Sequence, residues 1–291
     1  MPLDASDAEL KQREPTVTGF SEDELREIAE ALVQVPGVDA VMLGGSRARG
    51  GHGPASDTDL GLYYRSTLDL AALGALARSL AGDEATVSEL GAWGPWVNGG
   101  AWLTIAGAEV DWIYRDIDRV HDSWRSAREG SFHWHTQIGH PLGVPDFAYI
   151  GEAALGKTIV DSTGEVEALH HEAQTFPVAL ATSLVAGLWE AEFLVANARK
   201  GASRGDAAYV AGCLFRVVGL CAHAIHGRAG RWLVNEKGAV ASAGRLPIAP
   251  AQFEKRANAL FSTAASDAAA LASRLDLAAQ LVADTQAAVQ R

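Results

Sequence analysis

Residues Leu43 to Tyr64 read LGGSRARGGHGPASDTDLGLYY. The stretch opens on the last residue of an apolar run, VDAVML (residues 38–43), passes into two glycines and a serine, and closes with Asp57 and Asp59 leading a second apolar run. Successive side chains on a strand point to opposite faces, so aspartates two apart leave the same face. Paired carboxylates of this kind suit Mg²⁺, which takes oxygen ligands in an octahedron. Gly45 and Ser46 fall where the first strand ends and a short helical turn, SRARGG, begins. Free backbone N–H groups at such a turn hold phosphate oxygens. Strand, phosphate turn and two-carboxylate strand together hold a metal–triphosphate in line for attack.

Around this stretch the sequence predicts an α+β first half. SEDELREIAEALVQVPGV starts with Ser21 three residues before Glu24, a capping box, and spaces Leu25, Ile28, Ala29 and Leu32 as one helix face. VDAVMLGG and TDLGLYYR read as strands, and a helix is expected between Leu68 and Gly82. ATVSELG, AWLTIAG and EVDWIYRD are further strand candidates, with Gly107 and Ala108 at the turn between the last two. IDRVHDSWRSAREG reads as a helix ending at Gly130, so the sheet is expected to run mainly in consecutive order. From residue 164 strand signals cease, and Ala-rich helical runs fill roughly 165–172, 177–200, 206–226, 236–243, 250–264 and 266–290. The expectation is a mixed-sheet domain over 1–163 and an all-α helical bundle over 164–291, divided near Ser162 to Gly164.

With 291 residues, 48% of them hydrophobic and 21% charged, the chain has material for about two cored domains. No run approaches the roughly 18 to 20 uninterrupted apolar residues of a membrane helix, and MPLDASDAELKQREP lacks the basic-then-apolar order of a signal peptide. A cytoplasmic location, away from membranes, is expected. Cys213 and Cys221 are eight apart in a helical pattern, about 12 Å along an axis, too far for a disulfide. Residues 1–164 hold 12 Lys+Arg against 25 Asp+Glu, and 165–291 hold 12 against 11. Neither half offers the basic stripe of a protein that grips nucleic acid by its phosphates.

Gly45-Ser46, ten residues, then Asp57-x-Asp59 and Leu60 resembles the signature of the DNA polymerase β-like nucleotidyltransferase superfamily. The resemblance covers about the first half of the chain, and the spacer further resembles the antibiotic-type (aminoglycoside) and minimal nucleotidyltransferases. It implies two-metal transfer of a nucleoside monophosphate, AMP from ATP, to an acceptor hydroxyl, with a third carboxylate on a later strand. Asp111, in EVDWIY, fits that third position, with Glu109 as the alternative in the same stretch. Val110 and Trp112 flank Asp111 and point to the opposite face. Arg47 and Arg49, one turn into the phosphate helix, are candidate triphosphate ligands. Lys237, in RWLVNEKGAV at the start of a short helix, resembles a lysine that reaches the nucleotide phosphates in small-molecule members. The helical half would then close over a small acceptor, a cationic one if the acidic first half draws it in. Transfer to a protein or tRNA in a toxin–antitoxin pair, or a nucleotide-binding module without catalysis, are the competing readings.

Other candidates read more plainly. Glu190 and Glu192 are face charges of a helix or acceptor ligands, and Glu152 is an alternative acceptor-side base. His133, His135 and His140 lack the cysteine or spaced partner that would complete a zinc site. The tryptophans between Trp93 and Trp112 are expected in the core, unless one floors the nucleotide base.

Overall fold

The computed structural model describes residues 19–48, 50, 56–262 and 267–291. Helix α1 (Glu22–Leu32) starts at the expected capping box, with Ser21 Oγ accepting from Glu24 N at 3.2 Å and Glu24 Oε2 accepting from Ser21 N at 2.8 Å. Then come strand β1 (Val38–Leu43), the single turn α2 (Gly45–Ala48), strand β2 (Thr58–Tyr64) and helix α3 (Leu70–Ala81), capped by Asp69. Strands β3 (Gly100–Ile105) and β4 (Ala108–Asp116) form a hairpin. Its turn residues are Ala106 and Gly107, one place earlier than expected, at φ 50° and 84°. Two positive φ values match the twist of the paired strands. Helix α4 (Ile117–Glu129) stops at Gly130, which takes the left-handed conformation.

ATVSELG is not a strand. It runs beside β3 through one residue, Ser88, whose N–H donates to Gly100 O at 2.8 Å and whose Oγ accepts from Gly100 N at 2.9 Å. Gly91, at φ 85°, then turns the chain away before a ladder can form. The sequence reading also passes over four elements: a hairpin of β5 (Trp134–Gln137) and β6 (His140–Pro145), helix α5 (Ala148–Leu155), and β7 (Lys157–Asp161). Strand β7 returns to pair antiparallel with β1, so the main sheet runs β3-β4-β2-β1-β7. The order is not consecutive, because α3 and β3 carry the chain across and let β4 lie parallel to β2.

One face of the sheet, with Val41, Leu60, Leu62, Trp112 and Tyr114, packs against α1 and α3. The other, with Ala40, Met42 and Tyr63, packs against α4, α5, α6 (Glu165–Ala173) and α7 (Val178–Ala186). Val166, Leu169, Leu180 and Leu184 all belong to this second cluster, so one core crosses the texture change near residue 163. A separate core starts at Leu188 and is built from α8 (Leu188–Ala202), α9 (Ala207–Arg228), α10 (Ala239–Gly244), α11 (Phe253–Ala259) and α12 (Ala268–Val289). The helical run expected over 177–200 is divided at Gly187 into α7 and α8. By length and composition Val178–Ala202 and Ala207–Arg228 are apolar enough to cross a membrane, beyond what the sequence reading allows; α9 is nonetheless the central helix of the bundle, with Val210 and Leu214 to Gly227 largely buried. Both cysteines lie buried and unbridged on it, and burial pushes the Cys221 thiol up to about 12.

Candidate active site

Two strands and a glycine turn fix the carboxylates. In the parallel β2–β4 register Asp59 stands opposite Asp111, and Gly61 opposite Ile113. Opposite residues share a face, so the two side chains emerge together on the face that carries Tyr63 and Met42. Asp57, two residues before Asp59, precedes the first residue of β2. The turn meets them from β1: Gly44 N–H donates to Asp59 O at 2.8 Å, and Gly45 sits at φ 60°. A Cβ at Gly45 would overlap Asp59 Oδ2. Glycine is therefore needed twice over, for the backbone conformation and for the room that the carboxylate occupies.

Asp111 is half-buried, and its carboxyl is pushed up to about 6, first by desolvation and then by the charges of Asp59, Asp57 and Glu109. The Lys237 ammonium pulls the other way. Among the described residues no three His, Cys, Asp or Glu side chains are grouped closely enough to hold a metal ion in this conformation; the charges of Asp59, Asp57 and Glu109 act on Asp111 as repelling neighbours. Carboxylate oxygens of this kind are the donor type that a hard divalent cation takes.

Lys237 arrives from the segment after α9. Trp232 Nε1 donates to Ala173 O at 2.9 Å, Val234 packs on Gly151 of α5, and Glu236 Oε2 lies 3.1 Å from His140 Nδ1, within hydrogen-bond reach. Asn235 Oδ1 accepts the Lys237 N–H at 2.8 Å, just ahead of α10. This segment roofs a cavity of about 490 Å³ in which Ser46 of α2 faces Arg231, Lys237, Arg245 and Ser242. A smaller adjoining cavity is lined by Gly45, Asp59, Arg115, Glu152 and Asn235. Acid thus collects on the strands and base on the roof.

The other candidates are placed as follows. Arg47 turns back on the chain, its Nε donating to Ser56 O at 3.0 Å and Asp57 O at 3.1 Å, and Nη2 to Ser56 O at 2.5 Å. Arg49 lies outside the described residues. Glu152 is held in a two-point pair by Arg115, which is 5% exposed; Nε meets Oε2, and Nη2 donates to Oε1 at 2.9 Å. Glu190 is engaged by Arg216 at 2.8 Å and Glu192 by Gln286 at 2.7 Å, both within the bundle. His135 stacks on Trp96 at 3.9 Å, and His133 reaches Asp146 at 3.4 Å. Arg231, Arg245 and Asn235 escape the sequence reading because nothing in their spacing ties them to Ser46; the roof is made by tertiary packing.

Residues 23–118 match the family model of the nucleotidyltransferase domain. The first part of this chain is a nucleotidyltransferase domain of the DNA polymerase β-like superfamily. It covers β1, α2, β2 and β4, the elements that carry Gly45, Ser46, Asp57, Asp59 and Asp111. Nucleotidyltransferase domains act on a nucleoside triphosphate and usually use a divalent metal. The chain is also similar to a solved nucleotidyltransferase-like protein from Exiguobacterium sibiricum 255-15, with 12% identity over 92% of this chain and 74% of that one, and a TM-score of 0.44. No curated protein matches it.

Proposed function

We propose that this nucleotidyltransferase moves AMP from ATP, with Mg²⁺, to a hydroxyl of a small, cationic, aminoglycoside-like acceptor. The observation that supports the reading most is the β2–β4 register, which sets Asp59 against Asp111, with the charges of Asp57 and of Lys237 from the roof both acting on Asp111.

In this reading Asp57, Asp59 and Asp111 would hold the metal, which when bound would supply electrostatic stabilisation to the phosphate oxygens. Ser46, Lys237, Arg231 and Arg245 bind the β- and γ-phosphates in the cavity they share. Asp111 accepts the acceptor's hydroxyl proton. The hydroxyl oxygen bonds to the α-phosphorus, the bond from that phosphorus to the bridging oxygen breaks, and pyrophosphate leaves with the electron pair. Glu152, already committed to Arg115, shapes the wall rather than taking the proton. Arg47 acts by holding Ser56 and Asp57 in place. The catalytic half is taken as 1–163, the helical half 164–291 supplies the roof and acceptor wall, and a cytoplasmic location is part of the same proposal.

The test is pyrophosphate release from Mg·ATP by the full-length protein over a panel of amino-alcohol and amino-sugar acceptors. Acceptor-dependent release, lost in Asp59→Asn, is expected. Absence of any metal-dependent nucleotide binding overturns the reading.

A further inference from the structure

Trp102 is 70% exposed, although it lies in the middle of β3. In the β3–β4 register it stands directly opposite Asp111, so its indole starts about 5 Å from that carboxylate and on the same face. Trp93 stacks on it with ring centroids 4.2 Å apart and planes at 12°. The room for Trp93 comes from Gly100, two residues back along the same face, where a Cβ would lie 2.9 Å from Trp93 Cη2. The loop carrying Trp93 is pinned by buried Gln137 of β5. Its Nε2 donates to Trp93 O at 2.6 Å and Val97 O at 3.3 Å, and its Oε1 accepts from Trp96 N at 3.1 Å and Val97 N at 3.0 Å. Four hydrogen bonds from one side chain make this pair of indoles a rigid surface, held ready rather than assembled on binding.

Its position in the sheet says which substrate it meets. Ser46 follows β1 and lies on the β1 side of the carboxylates; Trp102 lies on the β3 side, beyond them. In-line displacement puts the attacking hydroxyl and the departing pyrophosphate on opposite sides of the α-phosphorus. With the phosphates on the Ser46 side, the Trp102 side is left for the acceptor. The surroundings there are acidic, with Glu109 and Asp111 on the neighbouring strand, and Thr104 Oγ1 bonded to Glu109 Oε1 at 3.2 Å. A flat indole face bordered by carboxylates suits a ring with an apolar C–H face, hydroxyls at its rim and ammonium groups.

We propose that the Trp93–Trp102 stack is the acceptor platform, and that it takes an amino-sugar ring whose hydroxyl is presented to Asp111, with Gln137 as the positioning residue for Trp93. This rests on the transfer reading above, from which the amino-sugar class is taken, and assigns the residues that would hold that acceptor.

The probe is kanamycin A, titrated into the full-length protein with Mg²⁺ and α,β-methylene-ATP and followed by calorimetry and saturation-transfer NMR. Sugar C–H protons are expected to receive saturation from indole protons. Trp102→Ala should weaken kanamycin about tenfold, equivalent to about 1.4 kcal/mol, and remove that saturation pattern; Trp102→Phe should retain most of both. Nucleotide affinity should stay within about twofold in each, as neither variant touches the phosphate side. The platform is overturned if wild type does not bind the saccharide, if Trp102→Ala binds it as wild type does, or if that variant loses nucleotide in step, which would place the base there instead. Metal-independent nucleotide binding by wild type would overturn the transfer reading by itself, leaving the saccharide results to decide the platform.

Discussion

Replacing Asp111 by asparagine should make the ligand-free protein more stable while removing its activity. Asp111 is a half-buried carboxyl facing Asp59, Asp57 and Glu109, and its position at about 6 against an ordinary 3.8 measures what ionisation costs there. At about 1.36 kcal/mol per pKa unit that is about 3 kcal/mol, which partial exposure and solvent screening reduce to about 1–2 kcal/mol. The sign follows from linkage: a carboxyl raised in the folded state destabilises the fold at pH above about 6, and the penalty fades as pH falls through 6 toward 4. Asparagine keeps the shape and drops the charge. In EDTA at pH 8, Asp111→Asn should therefore unfold a few degrees above wild type, since 1 kcal/mol moves the Tm of a chain of 150–250 residues by about 2–4 °C. At pH 4 the two should coincide. Adding Mg²⁺ at pH 8 should raise wild type and leave the variant where it is. Urea unfolding with matched m-values gives the free energies directly. An asparagine variant less stable than wild type at pH 8, or equally shifted at both pH values, would show that Asp111 is a structural ligand and that the repulsion argued for the site is absent.

Mg·ATP at about 100 times its Kd should add roughly 2.7 kcal/mol to the unfolding free energy, and ATP with EDTA much less; equal shifts in a thermal-shift assay would argue against metal-bridged phosphate. Asp57→Asn and Asp59→Asn should fold normally and lose about a hundredfold or more in turnover, read as pyrophosphate release. Glu152→Ala, by contrast, should cost about 3 kcal/mol of stability because it strands the buried Arg115 charge; chemical denaturation separates this from a catalytic defect, and a stable but inactive variant would restore Glu152 as the base. Gly45→Ala should displace the Asp59 carboxylate from its niche and abolish metal-linked stabilisation, whereas an alanine variant with ordinary Mg·ATP response would mean that the turn has slack.

Local signals in the sequence were sufficient for much of the first half. The Ser21–Glu24 box, the β1 and β2 runs and the stop at Gly130 each depend on a few adjacent residues, and each is found where those residues put it. The hairpin of β5 and β6 was hidden because Trp134 to Pro145 lacks clean alternation; its pairing is irregular between His135 and Gln137. Strand β7 is short and half-exposed, and its identity comes from the open edge of β1 rather than from its own pattern. In the site, spacing leads to the expectation that Asp57 and Asp59 share a face, but the opposition of Asp59 and Asp111 depends on β4 crossing to lie beside β2. Arg47 shows the reverse difficulty: its position beside the turn suggested a phosphate ligand, while its hydrogen bonds go to backbone carbonyls. Trp102 could have been found by asking which residue of GAWLTI alternates with Thr104 on the face of Asp111.

Those Arg47 bonds have a consequence for how the chain can be altered. The carbonyls of Ser56 and Asp57 are tied to a guanidinium nine and ten residues earlier, so the catalytic end of β2 is fastened directly to a side chain on α2. Arg47→Ala should therefore loosen the start of β2 and lower Mg·ATP-linked stabilisation even though the oxygens it holds there are main-chain carbonyls, because what it fixes is the backbone that carries Asp57.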